Sequence, residues 1–200
     1  VCIADLTTQI NAVLPKGRRR LIALAGAPAS GKSTLADDLA NALGGQVVPM
    51  DGFHLDNSIL SVRNLLHRKG APETFDASGI LHLVQRLAQG AEVVHPTFDR
   101  HRDIAIAGSG VVGVDCTTVV IEGNYLLHDA PIWRELSALW DFSIRLDVPM
   151  AELRNRLVQR WLDHGLTERQ AIARAEENDL PNARLMAAAE LPADATITSA

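Results

Sequence analysis

Residues 20–43, RLIALAGAPASGKSTLADDLANAL, decide the fold. The run RLIALAG at 20–26 is short, apolar and closed by glycine, the pattern of a buried parallel strand. From Lys32 onward, apolar residues recur at Leu35, Leu39 and Leu43, and two glycines end the pattern, so a helix follows. Between strand and helix lies GAPASGKST, in which Gly26, Gly31, Lys32 and Ser33 satisfy G-x-x-x-x-G-K-[ST]. The chemistry explains the spacing. Glycines let successive backbone N–H groups face inward around phosphates, and the helix that starts near Lys32 adds the positive end of its dipole. Gly26, Ala27, Pro28, Ala29, Ser30, Gly31, Lys32, Ser33 and Thr34 form the candidate nucleotide-binding set. Lys32 reaches the β and γ phosphates, and Ser33 is placed to ligate Mg²⁺.

The chain has 200 residues, 47% of them hydrophobic, enough for one well-buried core, and a single domain over 1–200 is expected. The net charge of -5 lacks the broad positive field of a nucleic-acid binder, so no nucleic-acid partner is expected. The basic run KGRRR at 16–20 reads as a solvated lead-in to the first strand. Two cysteines, Cys2 and Cys116, make neither a disulfide framework nor a metal cluster. No stretch approaches the roughly 18 apolar residues of a membrane span, and the first ten residues do not read as a signal peptide. A reducing cytoplasm is the expected compartment. A homodimer is left open.

Working outward, residues 3–14 have helical spacing that ends at Pro15. QVVPM at 46–50 reads as a strand. Residues 57–70 and 78–90 read as helices separated by the loop APETFDA. AEVVHP, TTVVIEG and DFSIRLDVP read as strands, 104–115 as a hairpin turning at Gly108–Gly110, 150–165 and 167–177 as helices, and DATITS as a last strand. Strands alternating with helices imply an α/β layer architecture with a largely parallel sheet. Ligands then bind at the C-terminal strand ends, in loops after residues 25, 50, 95 and 121.

Several protein classes share this phosphate grip. A GTPase would carry N-K-x-D, and neither Lys16 nor Lys69 sits in such a motif. A transporter ATPase would carry L-S-G-G-Q, and LGGQ at 43–46 only ends the grip's own helix. A kinase needs a carboxylate to take the proton of an incoming hydroxyl, and Asp51, just past a strand end in VVPMDGFHLDN, is the best candidate.

MDGFHLDN, RKGAPETFD, HPTFDR and VVIEGNYLL follow the grip in that order. Together they resemble the P-loop kinase family of pantothenate kinase, uridine kinase and phosphoribulokinase, over roughly residues 20 to 165. RKGAPETFD and the D-G-F triplet look most like pantothenate kinase. The short length resembles compact bacterial relatives described as nucleoside/nucleotide kinase-like or as fructose-transport-system kinases. The resemblance implies a P-loop NTPase fold, a doubly wound, mainly parallel five-stranded sheet with flanking helices and a small helical lid at about 150–180. It implies ATP with Mg²⁺ as donor and a small hydroxyl-bearing metabolite as acceptor.

Carried over by residue, Asp51 resembles the family's catalytic base, and Glu122 the acid that helps organise Mg²⁺. Phe98, Asp99 and Arg100 fall where relatives contact the acceptor, although Phe98 stands where several relatives carry tyrosine. His54 either positions the acceptor or caps a backbone group. Asp76 either binds acceptor hydroxyls or N-caps the helix from Ala77. Arg68 and Lys69 either face an anionic acceptor or end a helix favourably. Arg156 and Arg160 share a helix face and resemble lid arginines that meet the phosphates, with Glu152 an alternative partner for Arg156. ENDLPNARL at 177–185, with Asn182, is a candidate contact for the adenine. The expected activity is phosphoryl transfer to a small metabolite, leaning to a sugar. Pantothenate or a nucleoside is the alternative acceptor, and an ATP-binding switch with no acceptor the rival.

Overall fold

The computed structural model describes residues 2–198. In chain order they form α1 (Ile3–Ala12), β1 (Arg20–Gly26), α2 (Lys32–Leu43), β2 (Gln46–Pro49), α3 (Asn57–Val62), α4 (Ala77–Ala88), β3 (Val93–Asp99) and β4 (Ile104–Val112). Then follow β5 (Thr118–Gly123), β6 (Phe142–Asp147), α5 (Met150–Asp163), α6 (Glu168–Arg174), α7 (Leu180–Ala188) and β7 (Ala195–Thr198). Five strands pair in parallel in the order β2-β5-β1-β6-β7.

The central strands are apolar on both faces because helices cover both. Ile22, Leu24 and Val120 pack with Leu6 and Ile10 of α1 and Leu39 of α2. Leu21, Ala23, Val119 and Ile121 pack with Ile80, Val84 and Leu87 of α4 and with Trp133 and Leu136. A third apolar cluster joins Leu153, Leu157, Ala175, Leu180 and Ala183 of the helical arm to Ala27 and Ala29 of the phosphate loop.

Four local expectations are corrected. The helix over 57–70 stops at Val62. Asn64 takes a left-handed φ of 54°, which breaks the ladder, and a 3-10 turn Leu66–Arg68 follows. Residues 104–112 are not a hairpin of their own. They form one strand, β4, antiparallel to β3, and the chain reverses at 100–103. Gly108, at φ 67°, marks a break in the strand register rather than the turn. This β3–β4 pair stands outside the parallel sheet. Lastly, the basic run is not solvated throughout. Arg19 is 1% exposed, and its guanidinium donates to the carbonyls of Leu87, Ala91, Gly113 and Cys116, which ties the lead-in to α4 and to the approach to β5.

The β3–β4 pair matters because of where it lands. It packs on the 3-10 turn Met50–Phe53 that follows β2. A Cβ at Gly52 would sit 2.4 Å from the carbonyl oxygen of Pro96, so only glycine allows this approach. The hairpin thereby carries Phe98 and Arg100 to the ends of the parallel strands.

Candidate active site

The phosphate loop joins β1 to α2 as expected. Gly31 caps α2 at φ 93°, a left-handed conformation that glycine adopts without strain, and Ala29 also has positive φ at 60°. In this conformation the Lys32 ammonium donates to the Ala27 carbonyl at 3.3 Å. The Ser30 hydroxyl is buried and has no hydrogen-bond partner among the described residues. Burial pushes the Lys32 amine down in pKa, and the charges of Glu122 and Asp51 act against that shift.

Sheet order brings three chemistries together. β5 lies between β2 and β1, and Glu122 pairs in register with Pro49 on one side and Leu24 on the other. Asp51, two residues beyond Pro49, and the loop after Gly26 therefore flank Glu122 at one end of the sheet. The Ser33 hydroxyl donates to Glu122 Oε1 at 3.3 Å, while Glu122 Oε2 is buried with no partner among the described residues. Burial raises the Glu122 carboxyl above its ordinary range, with Lys32 offsetting part of that. A hydroxyl and a carboxylate with a spare buried oxygen suit a hard divalent cation whose remaining ligands are phosphate oxygens and water.

Asp51 forms an ion pair with Arg100 at 2.5 Å. Burial acts to raise the Asp51 carboxyl, but Arg100, His54, Lys32 and Arg160 together outweigh it and hold the group below the usual carboxylate range. His54 Nδ1 lies 2.8 Å from the Asp51 carbonyl oxygen, so Nδ1 carries the proton and Nε2 is left as an acceptor. Its ring sits between Phe75 and Phe98, at centroid distances of 4.0 and 4.5 Å. Burial lowers its pKa, and the Asp51 charge acts against that shift.

A cleft of about 1150 Å³ is lined by Pro28 and Lys32 of the loop, by Asp51, His54, Phe98 and Arg100, and by Arg160 from α5. Several expected residues lie elsewhere. Asp99 is spent within the hairpin turn, accepting from the Arg102 backbone at 2.9 Å and side chain at 2.7 Å. Asp76 N-caps α4, accepting from Gly79 N at 2.9 Å. Asn182 is 3% exposed in α7 and accepts from Arg68 at 3.2 Å rather than lining the cleft. Arg156 pairs with Glu152 at 2.8 Å, and the arginine of this helix that lines the cleft is Arg160. Lys69, by contrast, does line the cleft, where its ammonium is already satisfied by Asn57 Oδ1, the Asp103 carbonyl and the Asp103 carboxylate.

The cleft also holds Asn124 and Trp161, which sequence reasoning did not single out as site residues, and Asp179, which lies within the segment 177–185 expected at the adenine. Asn124 had a usable signal, since it stands two residues beyond Glu122 at the end of an apolar strand. Asp179 closes a π-helical turn, Ala175–Asp179, that helical spacing cannot reveal.

With this geometry, the relatives take on meaning. Residues 21–167 match the Phosphoribulokinase / Uridine kinase family. The chain is 36% identical over 174 residues to a protein of Escherichia coli (strain K12) named YggC, covering 82% of this chain and 71% of that one. It is 33% identical over 150 residues to the pantothenate kinase of Mycolicibacterium vanbaalenii, covering 71% of this chain and 48% of the kinase, so it spans about half that relative's length. A crystal structure from Silicibacter sp. TM1040, provisionally named a fructose transport system kinase, is 56% identical with a TM-score of 0.96, covering 98% of this chain and 99% of that one. YFH7 of Saccharomyces cerevisiae, at 17% identity and a TM-score of 0.86 over the whole of both chains, shares the fold. The match over residues 21–167 shows that the chain belongs to the phosphoribulokinase/uridine kinase family and is an ATP-using small-molecule kinase.

Proposed function

We propose that this kinase transfers the γ-phosphoryl group of ATP to a hydroxyl of a sugar or related polyol, with fructose the first candidate. The observation that carries the phosphoryl-transfer reading is the presence of Asp51 and Lys32 in one cleft, with Glu122 between their strands. Lys32 and the loop amides hold the phosphates. Asp51 takes the proton of the acceptor hydroxyl and aligns it for attack. Arg160, reaching the cleft from the helical arm that we read as the lid, shields charge that develops on the transferred group. His54, through Nε2, and Phe98 shape the acceptor side. Ser33 and Glu122 would hold Mg²⁺, which when bound neutralises phosphate charge. The sugar preference rests on the 56% identical structure and its provisional name. Pantothenate is the second reading, supported by RKGAPETFD and by the relatives of that name. We place the reaction in the cytoplasm, where ATP is plentiful and the free thiols Cys2 and Cys116 stay reduced.

The test is ADP release with D-fructose, uridine, pantothenate and D-glycerate, each against an acceptor-free control. Stimulation by D-fructose above the others supports the proposal. Stimulation by pantothenate alone supports the second reading. ATP consumption that no acceptor stimulates would point to a nucleotide-dependent switch and overturn both.

Two substitutions probe the roles. Glu122→Gln keeps the size and removes the charge. The Mg²⁺ concentration for half-maximal rate should rise about 10–100-fold, read from a Mg²⁺ titration at saturating ATP. An unchanged requirement would remove Glu122 from the metal role. Arg100→Ala removes the largest charge holding the Asp51 carboxyl down. The acid limb of kcat/KM reports the free enzyme's base, so in Arg100→Ala it should move to higher pH than in wild type. Coincident acid limbs would show that Arg100 does not tune Asp51.

A further inference from the structure

Asp179 is the group in this cleft whose chemistry remains unassigned. Its side chain is 7% exposed, yet it lines the cleft that holds Asp51. Trp161 Nε1–H donates to its Oδ2 at 2.6 Å, and among the described residues that is the one hydrogen bond to this carboxylate. No lysine or arginine of the described residues lies within the 4.0 Å of an ion pair with it, although Arg160 and Arg174 act on it at longer range. A carboxylate offers about four acceptor positions, and a buried one left with a single donor calls for an explanation.

The mounting of Asp179 supplies part of one. It closes the π turn Ala175–Asp179, a backbone form that concentrates at functional sites. That turn is clamped to the segment before Gly70. Asn178 Nδ2 donates to the Lys69 carbonyl at 3.1 Å, and Arg174 donates to the carbonyls of His67 and Lys69 at 3.2 and 3.0 Å. The carboxylate is thus held rigidly in place, which a purely space-filling group would not require.

The surroundings define what it can receive. Asp51, Asp103 and Asp163 line the same cleft, but the charges that act on Asp179 are those of Arg174 and Arg160, so a cationic ligand at this carboxylate would meet like charge. A second acceptor, Asn124 Oδ1, is buried without a partner among the described residues. Two unfilled acceptors, one of them facing the charges of Arg160 and Arg174, match a donor-rich ligand without positive charge, that is, one with several hydroxyls. Burial raises the Asp179 carboxyl above its ordinary range, consistent with a group that meets neutral donors rather than a close cation. We propose that Asp179 selects the acceptor by receiving a hydrogen bond from a hydroxyl other than the one phosphorylated, which makes the acceptor a polyhydroxylated molecule. This deepens the kinase reading above and rests on it.

The test uses ADP release by wild type, Asp51→Asn, Asp179→Asn and Trp161→Phe. The acceptors are D-fructose, uridine, pantothenate and D-glycerate, followed by analogues of the best one, each lacking a single hydroxyl. Asparagine keeps the size and an oxygen for Trp161, but puts an amide donor where the acceptor hydroxyl needs an acceptor. In Asp179→Asn, KM for the best acceptor should rise about ten-fold or more, with KM for ATP unchanged. One deoxy analogue should be poor for wild type and no poorer than its parent for Asp179→Asn. Unchanged acceptor KM and unchanged discrimination in Asp179→Asn overturn the proposal, while loss of turnover in Asp51→Asn leaves the kinase reading standing. If wild type uses no acceptor, both fall. Should Asp179→Asn fail to fold by circular dichroism, Trp161→Phe decides. It removes the one protein donor, so KM for the same acceptor should change, and an unchanged value overturns the proposal.

Discussion

Asp51→Asn is expected to lower kcat for the best acceptor by about 10²–10⁴-fold, the range that a positioned general base contributes. Asparagine has the same shape but cannot take the hydroxyl proton. The substitution also removes the ion pair between Arg100, 51% exposed, and Asp51, 16% exposed. Circular dichroism of Asp51→Asn at the assay temperature separates the kinetic loss from misfolding. Slow ATP hydrolysis without acceptor should persist. Transfer at the wild-type rate would end the assignment of Asp51 as base.

Lys32→Ala is expected to reduce kcat/KM for ATP by about 10²–10³-fold, the loss typical of removing one preorganised charge or donor from a site of developing negative charge. Unlike the loss at Asp51, this one should fall equally on acceptor-dependent transfer and acceptor-free hydrolysis, because Lys32 acts on the donor phosphates. Lys32→Arg should not restore activity. The ammonium reaches the Ala27 carbonyl at 3.3 Å inside a tight loop, and a planar guanidinium presents a different shape and hydrogen-bond geometry there. Parallel measurements of both rates in Lys32→Ala check this. A selective loss of the acceptor-dependent rate would place Lys32 on the wrong side of the reaction.

The fold was legible because its parallel strands and their helices are local patterns. RLIALAG and TVVIEG are apolar on both faces because both faces are covered, and Gly31 of the phosphate loop stands where a left-handed conformation is required. The β3–β4 hairpin was less legible. Glycines in IAIAGSGVV read as a turn, yet they serve a register break set by a partner strand that local spacing does not reveal. The helix expected over 57–70 ended early for a similar reason. Asn64 turns left-handed so that Leu65 N can bond the Leu60 carbonyl, and the chain then returns toward the cleft.

For the site, the amino-acid sequence by itself determined the phosphate loop between its strand and its helix, because those three are contiguous, and placed Asp51 and Glu122 at or just past strand ends. Tertiary structure alone decided what surrounds Asp51. It placed Arg100 on Asp51 and chose Arg160 over Arg156 for the cleft. It also brought Asp179 into the cleft. Each of those outcomes depends on how the hairpin and the helical arm pack against the sheet ends, across separations of 49 residues for the Arg100–Asp51 pair and more than 100 for the clamp between Arg174 and His67, which no local pattern encodes.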